Sequence, residues 1–127
     1  MKARRFGKAL ASFLSLPYLN RGKQGPMEDE TWLVVVEDHG NPRGLVKRSP
    51  GKEENLTFRL SGEPEAGRLK KCVPVVMGAG PDALPIAQFF ELEWVELSAS
   101  HQTRVLSVAS GRIDFIDVGE AKFRLKL

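Results

Sequence analysis

The chain has 127 residues, 42% hydrophobic and 28% charged. These proportions fit one globular domain and exclude a wholly disordered chain. A single cysteine, Cys72, excludes an intrachain disulfide, so nothing requires an oxidising compartment.

The net charge of +3 is unevenly distributed. Residues 1–26 carry Lys2, Arg4, Arg5, Lys8, Arg21 and Lys23 and no acid, which is +6. The other 13 basic and 16 acidic residues give −3. The pI near 9.2 therefore comes from the N-terminal segment. A basic block on a mildly acidic body reads as an electrostatic tether to nucleic acid, an anionic membrane or an acidic partner.

Residues 2–16 are predicted to be helical. Ala3, Phe6, Leu10, Phe13 and Leu14 recur at a spacing that places them on one face. The early cations sit at the unfavourable end of the helix dipole, and Gly7 costs about 1 kcal/mol against alanine. Isolated helices shorter than about 12–15 residues barely form in water, so this one needs a surface to lie on. Pro17 is expected to stop it. Residues 20–26 hold two glycines, a proline and no apolar residue, which predicts a linker. Two units are therefore expected: a basic amphipathic arm with its linker over 1–26, and an antiparallel β domain over 27–127.

The β-branched run Thr31 to Val36 predicts a strand buried on both faces. The polar stretch 38–54 reads as a mobile loop. Leu56, Phe58 and Leu60 alternate with polar residues, giving a half-buried strand. Residues 69–77 form another, and Pro74 suggests that it lies at an edge or a bulge. Phe90, Leu92 and Trp94 share one face of a strand, and the parity then switches to Val95 and Leu97. Residues 102–109, 112–118 and the final segment complete a meander, joined by short turns that require antiparallel pairing. The fold class expected is mostly β: a sandwich or small barrel of about seven strands, preceded by the basic helix. No internal repeat is evident. No apolar run approaches the roughly 20 residues that span a membrane.

The candidate chemical motifs are weak. Gly78-Ala79-Gly80-Pro81-Asp82-Ala83 matches G-x-G-x-x-A, with Glu96 at a ribose-binding distance. Pro81, Pro85 and the short distance to the next strand argue against a dinucleotide crossover and for an ordinary loop. Glu37, Asp38, His39 and His101 do not have the spacing of a metal site. Cys72 beside Lys70 and Lys71 could be a reactive thiol, but a small buried hydrophobe is the commoner role. Asn55-Leu56-Thr57 matches a glycosylation sequon without a secretory context. Glu91, Glu93 and Glu96 read as a solvated face. Lys122, Arg124 and Lys126 either pair across strands or form a second basic stripe for phosphates. No catalytic, metal or cofactor residue is assigned, and no small-molecule substrate is indicated.

The arm carries the functional expectation. Lys2, Arg4, Arg5, Lys8, Arg21 and Lys23 would meet an anionic surface or partner. Phe6, Leu10, Phe13 and Leu14 would form the apolar docking face. The rival placement for that face is the chain's own β body. The expected function is non-enzymatic: a structural or assembly protein, virion- or complex-associated in character, docked by its arm to an anionic surface or neighbouring subunit. Protein partners or self-assembly are expected first, an anionic membrane or nucleic acid second. Nucleic-acid binding through the arm is one alternative function. An organelle-targeted protein with a mitochondrial transit-like N-terminus is another. A secretory signal is disfavoured by the lack of a small-x-small cleavage site. The localisation expected is intracellular or virion-associated.

Overall fold

A computed structural model describes residues 2–18, 31–64, 69–78, 81–95 and 103–127. The chain is mostly β with an N-terminal helix. The elements run α1 (Lys2–Leu14), β1 (Trp32–Asp38), β2 (Asn41–Ser49), β3 (Lys52–Thr57), β4 (Arg59–Ser61), β5 (Val75–Met77), α2 (Ala83–Phe90), β6 (Trp94–Val95), β7 (Arg104–Ala109), β8 (Arg112–Asp117) and β9 (Glu120–Lys126). One sheet has three strands in the order β1-β2-β3, and the other has six in the order β4-β9-β8-β7-β5-β6.

The stretch 38–54 is not a loop. His39-Gly40 and Pro50-Gly51 each close a two-residue hairpin turn, with β2 between them. Both residues of the first turn have positive φ, 52° and 83°. That geometry follows the natural twist of an antiparallel pair. β1 is an edge strand and is not buried on both faces. Its Leu33 and Val35 pack on the core, while Val36 is exposed.

The chain changes sheets at Phe58, whose N–H donates to the carbonyl of Arg43 while its ring is buried. β4 then pairs with β9 across a long sequence separation. The pairs are Arg59 with Lys126, Leu60 with Leu125, and Ser61 with Arg124. Phe58-Arg59-Leu60 recurs as Phe123-Arg124-Leu125, 65 residues further on. That offset maps the three pairs onto one another, so a local two-fold axis passes between Leu60 and Leu125. Each side of it carries a three-stranded meander, β1-β2-β3 or β7-β8-β9. The sequence match is confined to these three residues and does not amount to an internal repeat. Three matching residues are too few to stand out in the sequence.

The large sheet is not wholly antiparallel. β5 is parallel to both β6 and β7. α2 lies between β5 and β6, in the crossover that joins them. Ala83, Ile86, Ala87 and Phe90 are buried along one side of this helix, so Phe90 ends a helix and does not begin a strand. Pro85 is tolerated because the first turn of a helix leaves its N–H groups unbonded. Pro74 is at neither an edge nor a bulge. It stands one residue ahead of β5, an interior strand, where no ladder donor is required.

α1 ends at Leu14, before the proline. Ser15 adopts a left-handed conformation with φ 58°. Its N–H donates to the carbonyl of Ser12, and the N–H of Leu16 donates to that of Ala11. This crossed pair satisfies carbonyls that the last turn leaves open. The Ser15 Oγ also donates to the Cys72 carbonyl and accepts from the Cys72 N–H, both at 2.8 Å.

The apolar stripe of α1 lies on the inner face of the six-stranded sheet. The Phe6 ring centroid is 5.2 Å from that of Phe58 and 5.8 Å from that of Phe123. Phe13 lies 5.2 Å from Phe115. Phe6, Leu10, Phe13 and Leu14 are all buried with Leu106, Ile113 and Leu125. This corrects both the separate arm and the free docking face: the apolar side of α1 belongs to the core of the β body, while Arg4, Arg5 and Lys8 stay exposed. Each large apolar side chain so buried contributes about 1.5–3 kcal/mol. Together they outweigh the weak propensity and adverse dipole that make α1 marginal alone.

Candidate nucleic-acid interface

Side chains alternate across a strand. In β7, β8 and β9 one set, Leu106, Val108, Ile113, Phe115, Phe123 and Leu125, points into the core. The opposite set makes an outer sheet face, and its charge is one-sided. Arg59 on β4 stands opposite Lys126 on β9, which stands opposite Arg112 on β8. Three cations are thus neighbours in one row across three strands. The next row runs Ser61, Arg124, Asp114, Ser107.

Asp114 is the one acid within these rows. It pairs with Arg124 Nε and lies 3.8 Å from Arg112 Nε. Lys122 reaches Glu120 at 3.6 Å. Arg59 and Lys126 are exposed and have no side-chain partner among the described residues. Like charges directly opposite in a sheet are destabilising, by up to about 1 kcal/mol a pair. A face selected for stability alone would alternate signs along the Arg59–Lys126–Arg112 row, as the next row does at Asp114. The outward positions of β4, β7, β8 and β9 carry no aromatic side chain, so this face can grip phosphates but offers no platform for stacking bases.

The outward face of α1 is the second basic surface. Arg4, Arg5 and Lys8 are exposed and Lys2 is half-buried. Arg5 pairs with Glu63 at 3.3 Å, just beyond β4. Lys8 Nζ lies 5.9 Å from the centroid of the Tyr18 ring. That ring folds back over Gly7, where an added Cβ would come within 2.9 Å of Tyr18 Cε1. Arg21 and Lys23 lie outside the described residues.

The other sequence candidates do not converge. Asp38 lies 3.5 Å from His39 and 4.0 Å from Arg43 at an exposed turn. His101 and Glu96 lie outside the described residues. Among the described residues, no group of three or more His, Cys, Asp and Glu is placed to hold a metal ion. Glu91 pairs with Lys47 at 3.3 Å. A Cβ on Gly78 would collide with the Val108 carbonyl oxygen. This glycine therefore serves close strand packing. Cys72 is half-buried in a segment outside any strand, held through its backbone.

Arg59 and Arg112 are the members of the basic row that sequence reasoning missed. Arg59 has the same outward parity against Phe58 and Leu60 that marked Lys122, Arg124 and Lys126. Nothing local indicates that β4 pairs with β9.

Two sheets, the larger one mixed, sharing a core with an N-terminal helix define this as a mostly β fold with mixed connectivity. No family model and no curated protein matches the chain. It is similar to the crystal structure of Mil, an archaeal Imp4-like protein, with a TM-score of 0.77 and 23% sequence identity. The match covers 99% of this chain and 88% of that one. At this identity the likeness establishes a shared fold.

Proposed function

We propose that the protein is a non-enzymatic assembly module that docks on nucleic acid by gripping its phosphate backbone. The observation that carries this reading is the like-charged row Arg59–Lys126–Arg112 on an open sheet face, flanked by Lys122 and Arg124. In this reading the basic surface is a rigid sheet face and not a free arm. Phosphate contacts position a protein without reading bases, so binding should be strong at low salt and nearly independent of sequence.

The test is fluorescence anisotropy with single-stranded and duplex RNA and DNA oligonucleotides over a salt series. Five phosphate contacts give a log–log slope of about −4 to −5 on duplex DNA, at roughly −0.9 per contact. The variant R59Q/R112Q/K126Q should weaken binding and reduce the slope by about 3. No binding at low salt, or an unchanged slope in the variant, would overturn the proposal. Co-sedimentation with anionic vesicles in place of nucleic acid would return the function to a membrane surface.

A further inference from the structure

We infer that the protein bridges two nucleic-acid segments, one on the outer face of the six-stranded sheet and one on the outer face of α1. This rests on the nucleic-acid reading above. The argument is directional. Successive helical residues turn about 100°, so residues two apart point to nearly opposite sides. Phe6 points at the sheet, as its contacts with Phe58 and Phe123 show. Arg4 and Lys8 stand two residues to either side of it and therefore point away from the sheet. Both are exposed.

In β9, Leu125 is fully buried against the core while its neighbours Arg124 and Lys126 face outward. The sheet cations and the helix cations thus face in opposite directions. A helix with its side chains, about 10–12 Å across, stands between them. One straight strand or duplex cannot lie on both surfaces. A path around edge strand β4 meets Glu63, whose side chain is 61% exposed and already paired with Arg5. Arg4 and Lys8 are also one turn apart with the same charge. That arrangement destabilises an isolated helix, and an anion lying across both would relieve it.

The test uses two duplexes of unrelated sequence, one biotinylated and immobilised, the other fluorescent. Wild-type protein bound to the first should capture the second. R4Q/K8Q and R59Q/R112Q/K126Q alter exposed positions and should keep the wild-type circular dichroism spectrum. Each should still bind a single duplex, while capture of the second falls about tenfold or more. Sedimentation of the wild-type mixture should give the mass of one chain with two duplexes. Capture by R4Q/K8Q at the wild-type level, or two chains per pair of duplexes, would overturn the inference. Binding of one duplex without capture of a second would overturn it while leaving the proposed function standing. Binding of neither would overturn the proposed function itself.

Discussion

Arg104 and Asp117 face each other across β7 and β8, and their ion pair, Nε to Oδ1 at 3.1 Å, is sealed beneath the end of α1. Arg104 is 2% exposed. Its Nη1 donates to the carbonyls of Phe13 and Cys72, and its Nη2 to that of Lys70. The guanidinium also lies 5.5 Å from the Phe13 ring centroid. One planar fork thus joins the helix terminus, the segment before β5 and a β hairpin. A cation at a helix C-terminus also complements the dipole there.

Removing one partner of a buried pair leaves the other uncompensated. R104M should therefore destabilise the fold by about 3–5 kcal/mol, read as a lower urea midpoint with unchanged slope. R104M/D117N should recover only part of the loss, because the Phe13 and Lys70 carbonyls still lack their Arg104 donor and that of Cys72 keeps only Ser15 Oγ.

Phe6 tests whether α1 belongs to the core. F6A should cost about 3–5 kcal/mol, as for other buried aromatic truncations. An arm merely resting on the body would lose little in denaturant unfolding.

Gly7 has two opposed influences on it. Alanine is the better helix former by about 1 kcal/mol. Its Cβ would nevertheless press on Tyr18. G7A should gain little in the wild-type background and about 1 kcal/mol when Tyr18 is also alanine. A thermal double-mutant cycle measures the difference.

Val118 occupies the first central position of the β8–β9 turn with φ 51°, and it is 76% exposed. A β-branched residue is strained there by about 1–2 kcal/mol. V118N should raise stability by about 1 kcal/mol, or roughly 4 °C in Tm.

The last strands were legible because their contacts are local: alternation and an X-Gly turn are enough to write β7-β8-β9. The existence of α1 was equally legible, but its destination was not. Phe6, Leu10, Phe13 and Leu14 make the same stripe whether they face a partner or their own sheet. α2 was masked by the accidental alternation of Phe90, Leu92 and Trp94. The spacing of Ala83, Ile86, Ala87 and Phe90 was the better signal. Of the basic row only Lys126 was visible, because Arg59 joins it through a pairing that no neighbouring residue announces.

The packing of Phe6 and Phe13 on Phe115 and Phe123 has a consequence for biosynthesis. α1 emerges from the ribosome long before β8 and β9, so part of its apolar stripe, Phe13 above all, lacks its partners Phe115 and Phe123 until the chain is nearly made. Contacts this far apart in sequence make folding slow and leave the early chain prone to association. The nascent helix, cationic on one side and apolar on the other, keeps part of its apolar side uncovered until the final hairpin closes over it.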